Sequence, residues 1–126
     1  YCMKNKINLI KEWFERAEND MDGAQILFDN NHFTGTIAVL IHQATEKYIK
    51  GFLLSMGWKL VKIHDLEKLI TEAIKINSLF DQYLDFARRT TAYYIEDRYP
   101  PGPVIEYPRN EIKEALSILK KIKVLI

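Results

Sequence analysis

The sequence predicts an all-α protein: an up-and-down bundle of about five helices, four of them long, in a single domain covering residues 1–126. Three observations predict this. Between Thr34 and Met56, Ile37, Leu40, Ile41, Ala44, Tyr48, Ile49 and Phe52 fill about half of a helical wheel, as a helix buried along most of its length requires. Four further segments repeat the three-and-four apolar spacing. Between the segments stand turn-forming residues, and a chain of 126 residues that is 48% hydrophobic can build one core without disulfides or metals.

The first helix is expected from about Ile7 to Asn30, with Ile10, Trp13, Phe14, Ala17, Met21, Ala24, Leu27 and Phe28 inward and Lys11, Glu12, Glu15, Glu18, Asn19 and Asp22 outward. Asp20 falls on the apolar arc. It reads either as a carboxylate reaching solvent or a neighbouring lysine, or as a site residue. The cluster Asp29, Asn30, Asn31 and His32 makes a turn, so the central helix beginning near Thr34 runs antiparallel to the first. Ala44, Gly51 and Ser55 share that helix's buried arc and suit a close helix approach, inside the fold or at a dimer seam.

Gly57 is the expected stop, and Trp58 to Ile63 form a connector. His64 or Asp65 caps a third helix whose Leu66, Leu69, Ile70, Ala73 and Ile76 share a face. Asn77 and Ser78 precede a fourth helix, about Leu79 to Asp97. Its face is expected to carry Phe80, Tyr83, Leu84, Ala87, Thr91 and Tyr94, with Arg98 continuing the line and Arg88 at its edge. Pro100, Pro101 and Pro103 make the next segment a rigid loop. Pro108 then suits the first turn of a fifth helix lined by Ile112, Ala115, Leu116, Leu119, Ile122 and Ile126.

Composition excludes several function classes. With 18 basic and 17 acidic residues the net charge is +1, so bulk charge points to neither a nucleic-acid nor a membrane surface; only a local patch would. The single cysteine, Cys2, cannot form an internal disulfide, and Lys11, Glu12, Glu15 and Arg16 interrupt the first apolar segment, which is therefore no secretory signal. A cytoplasmic location is expected. Gln43, Glu46, Lys47 and Lys50 make membrane insertion of the central helix costly. There is no glycine-rich phosphate loop, no cysteine pair and no Glu-x-x-His pair, so neither a metal nor another cofactor is expected. No serine or thiol stands in a nucleophile motif.

What remains is a polar constellation. The central helix contributes Gln43, Glu46 and Lys50, flanked by His42 and Lys47; the third contributes His64 and Asp65, and the end of the fourth Tyr94, Arg98 and Tyr99. Cationic donors suit phosphate and tyrosine faces suit a base, which together describe a nucleotide or single-stranded RNA site. The same residues also suit an internal network, Glu46 with Arg98 for example, that fixes helix register. Composition and spacing leave both readings open.

Four pieces of the sequence, in order, resemble the HEPN domain: Trp13, Phe14, Arg16 and Ala17; His42, Gln43, Ala44, Glu46 and Lys47; His64, Asp65 and Leu66; and Tyr93, Tyr94, Arg98, Tyr99 and Pro100. The resemblance covers nearly the whole chain. It implies a prokaryotic helical bundle that dimerises and acts with a separate minimal nucleotidyltransferase in a toxin–antitoxin-like pair. It also implies a nucleotide-binding role, through the family's similarity to the substrate-binding domain of kanamycin nucleotidyltransferase. In that role Arg98 and Lys50 contact phosphate, Tyr94 or Tyr99 stacks on the base, and Glu46 orients Arg98. One branch of the family consists of metal-independent ribonucleases with an arginine, four to six residues, and then a histidine. This chain departs from that motif: no histidine follows Arg88, Arg89 or Arg98, and Lys59 before His64 lacks the arginine fork. Enzymatic activity is thus the second reading, with His64 as base, Arg98 as stabiliser of the phosphate and Tyr94 assisting. A structural dimer subunit without a ligand is the third.

Overall fold

A helical hairpin organises the chain. In the computed structural model, which describes residues 3–59, 65–98 and 106–126 and the side chains of all these but 3, 4 and 96–98, α1 spans Met3–Asp29 and α2 Thr34–Ser55. The first helix thus starts one turn earlier than its apolar pattern announces. Both helices stop in the same way. Asn31 (φ 57°) and Gly57 (φ 93°) take left-handed backbone conformations. The N–H groups of Asn31 and His32 return to the carbonyls of Phe28 and Leu27, and those of Gly57 and Trp58 to Leu54 and Leu53. These paired bonds close the last turn and satisfy carbonyls that a helix end leaves open.

The short turn makes residues nearly equidistant from it meet. Asp20 pairs with Lys47, Phe14 packs on Gly51, and Trp13 faces Lys50. Asp20 is therefore the carboxylate reaching a neighbouring lysine. Gly51 serves a contact inside the fold, since a Cβ there would lie 2.6 Å from a Phe14 ring carbon. Ala44 is buried as expected, but Ser55 is exposed and donates its hydroxyl to the Phe52 carbonyl at 2.6 Å.

Asp65 caps α3 (Leu66–Ile76), its carboxylate accepting the Lys68 N–H at 3.3 Å. The expected fourth helix comes in two pieces, a 3₁₀ segment over Ser78–Tyr83, capped by Asn77, and α4 over Leu84–Arg98. That division moves its inward face. Phe80, Tyr83 and Ala87 are buried as expected, but beyond them the buried positions are Phe86, Thr90 and Tyr93, while Leu84, Thr91 and Tyr94 are half-buried. A 3₁₀ segment turns every three residues instead of every 3.6, about 20° more per residue, which rotates all that follows.

Phe52 meets Phe80 and His42 meets Tyr94, so α4 runs antiparallel to α2. Pro108 stands at the N-cap of α5 (Arg109–Leu125), just before the first turn where the sequence suggested it. The start of α5 is tied to the hairpin turn. Thr34 Oγ1 donates to the Tyr107 carbonyl and accepts the Tyr107 N–H, both at 2.8 Å, and Arg109 donates to the Phe28 carbonyl while lying over its ring. Ile37, Ile41, Ile49 and Leu53 of α2 form the centre, closed by Leu69, Ile70, Phe80, Ile112, Leu119 and Ile122. Each such burial stabilises by about 1.5–3 kcal/mol before entropic costs.

Candidate functional site

Lys50 is expected on a polar stripe of the central helix, yet it is only 4% exposed. An ammonium group this deep is costly unless it is held, by several kcal/mol in general. Two groups hold it. Its Nζ donates to Glu46 Oε2 at 3.1 Å, one turn earlier on α2, and lies 5.4 Å from the centroid of the Trp13 ring on α1. The Glu-before-Lys order at four residues' spacing is the favourable one along a helix, and the ring's electron-rich face attracts the cation.

Above this pair opens a cleft of about 330 Å³ between α1 and α2, within the range of small-molecule sites. Leu9 and Trp13 give it apolar walls, Glu46, Lys47 and Lys50 line its α2 side, and Glu12 and Arg16 complete it from α1. Every cation here has a carboxylate beside it. Arg16 pairs with Glu12 at 2.7 Å at the exposed mouth, and Lys47 with Asp20 at 2.5 Å. The site therefore offers adjacent donors and acceptors beside an aromatic ring, with most of its positive charge offset by paired carboxylates. An added anion beside Glu46 would feel its repulsion and the attraction of Lys50 at nearly the same distance, so the pair offers it little net pull.

Elsewhere on α1, Glu18 joins three elements. Its carboxylate accepts from Lys123 of α5 at 2.7 Å and from the Tyr48 hydroxyl of α2 at 2.5 Å. The Lys123 ammonium, then the Tyr48 hydroxyl, holds the Glu18 carboxyl below its usual range. Burial first, then Glu18, pushes the Tyr48 phenol above its own. On α4, burial and the nearby Glu111 charge raise the Tyr93 phenol in the same way.

The constellation expected from the sequence is brought together only in part. Glu46 and Lys50 form its centre, and Gln43 is half-buried on the same helix. Tyr94 comes to α2 by stacking on His42, with ring centroids 4.7 Å apart and planes 13° from parallel. Asp65 lies at the start of α3 in its capping role. His64 and Tyr99 lie outside the described residues, as does the Arg98 side chain, so the suggested pairing of Glu46 with Arg98 falls there too. Trp13, Glu12 and Arg16 are absent from the constellation, because Trp13 reads as a core residue and the other two as outer charges. The tight turn after Asp29 held the signal: pairing residues equidistant from it sets Trp13 opposite Lys50.

Among the described residues no cluster of acidic, histidine or cysteine side chains could hold a metal ion, and no helix is long and apolar enough to cross a membrane.

Comparison with known proteins identifies the family and a similar fold. The family model described as the HEPN domain matches residues 10–126. Among solved structures, the crystal structure of TT1696 from Thermus thermophilus is similar, with a TM-score of 0.74, 25% sequence identity, and coverage of 91% of this chain and 93% of that one. A search of curated proteins finds no matching sequence.

Proposed function

The chain belongs to the HEPN family, and from this we propose that it is a nucleotide- or RNA-binding module that acts with a separate minimal nucleotidyltransferase. The observation that carries the reading is Lys50, a buried cation held by Glu46 and Trp13 at the floor of a cleft of ligand size. Placing charge this deep is costly, and the simplest use of the cost is to hold a donor and an acceptor ready for a ligand. In this reading Lys50 and Glu46 meet the ligand from α2, while Gln43, His64, Asp65, Tyr94, Arg98 and Tyr99 are the further candidates. The module works as a homodimer in the cytoplasm, paired with its nucleotidyltransferase in a toxin–antitoxin-like system.

The test is calorimetric titration of the purified protein with ATP, other nucleotides and a short RNA, with Arg98→Ala alongside. Saturable binding is expected, weakened in the variant while its helical signal is kept. Absence of any binding would sink the reading and leave a structural partner subunit. Co-purification with a minimal nucleotidyltransferase encoded beside it tests the partnership.

A further inference from the structure

We infer that the α1–α2 cleft takes the nucleobase, and not the phosphate, of the ligand. The inference rests on the nucleotide- or RNA-binding reading and assigns a specific pocket to it, with Trp13 as the wall against which the base lies and the Glu46–Lys50 pair as the reader of its edge.

Three observations lead there. First, the cleft is walled by Leu9 and the Trp13 ring, and a flat heterocycle gains from an aromatic surface whatever its sequence identity. Second, its cations are already paired: Lys50 with Glu46, Arg16 with Glu12 and Lys47 with Asp20. A phosphate drawn into the cleft would gain little from cations already paired and would lie beside the Glu12 and Glu46 carboxylates, whereas a neutral base needs no free cation. Third, the 3.1 Å contact between Lys50 Nζ and Glu46 Oε2 sets a donor directly beside an acceptor. Each nucleobase presents the complementary arrangement on its edge, an acceptor beside an N–H group, so one base can satisfy both. Glu12 and Arg16 repeat the donor–acceptor pairing at the mouth, where the ribose and phosphate leave toward solvent.

The test reads Trp13 emission in a Trp58→Phe protein titrated with AMP, UMP, their nucleosides, ribose 5-phosphate and a short single-stranded RNA. Expected is saturable quenching by nucleosides as well as nucleotides, none by ribose 5-phosphate, and about tenfold or greater weakening in Trp13→Leu. The emission change in the protein that keeps Trp13 stands as evidence even if Trp13→Leu does not fold. Tighter binding of RNA than of mononucleotides would identify the source as a base within a strand, and equal binding a free nucleotide. Two results overturn the pocket while sparing the parent reading: nucleotide heat in calorimetry with unchanged Trp13 emission, or ribose 5-phosphate binding as well as AMP. Absence of calorimetric binding by any nucleotide or RNA removes both together.

Discussion

Gly51 exists to admit Phe14: a methyl group in its place would lie 2.6, 2.8 and 3.1 Å from three carbons of that ring. Alanine would help the helix by up to about 1 kcal/mol through propensity, but overpacking of this kind costs about 1–3 kcal/mol. Gly51→Ala should therefore lower stability in urea denaturation by about 1–2 kcal/mol. Combining it with Phe14→Leu should recover part of the loss, and strict additivity of the two changes would contradict the close-contact account.

Thr34 is a test of how firmly α5 is fastened. Its hydroxyl satisfies both backbone groups of Tyr107 from a buried position. Thr34→Val keeps the shape and removes both bonds, with an expected cost of about 1–3 kcal/mol, while Thr34→Ser should retain most of the stability. Amide exchange at Tyr107 should accelerate in the valine variant alone.

Glu18 should give the acid limb of the stability profile part of its slope. Its folded-state carboxyl titrates below the usual 4.5, because Lys123 and Tyr48 stabilise the charged form. The unfolded chain thus takes up the proton first as pH falls. The contribution is complete above about pH 4.5 and is lost as pH drops through the folded value. Glu18→Gln should flatten the fall in stability below about pH 4.5 relative to the parent protein. At the alkaline end the sign reverses: Tyr48 titrates above its usual 10.0 in the fold, so its contribution holds below about pH 10 and fades above it.

Lys50 and Glu46 should prove coupled. Breaking a buried pair by removing one partner costs about 3–5 kcal/mol, whereas replacing both is far milder. Lys50→Met is expected to fall in that range, and Lys50→Met with Glu46→Gln to fall well short of the sum of the single changes. Additive losses in the cycle would remove the case for a coupled pair.

Much of the fold is legible in the sequence because burial imposes a period. The apolar arc of α2 is wide enough that no alternative face competes, and the core positions Ile37, Ile41, Ala44 and Ile49 read directly. The turn residues mark their places for equally local reasons: Gly57 and Asn31 tolerate a positive φ, and Asp65 has the short carboxylate a helix start requires. The wheel fails at α4, where the 3₁₀ segment breaks the assumption of constant twist and brings Phe86, Thr90 and Tyr93 inward. It fails again at Lys50, since a wheel records direction around one helix and cannot register that Trp13 on another helix covers the charge. The site was therefore readable as a residue type on α2, but not as a cleft, because a cleft belongs to two helices at once.

The two hydrogen bonds between Thr34 and Tyr107 join positions 73 residues apart. The residues of the α1–α2 hairpin are all made before Tyr107, so nothing covers the seat for α5 until the last helix follows. Because closing so long a span costs entropy before its contacts form, this one is expected late, after the rate-limiting step. Thr34→Val should then quicken unfolding and leave the refolding rate nearly unchanged in stopped-flow measurements. The last helix acts as a clasp on a fold whose first half is already in place.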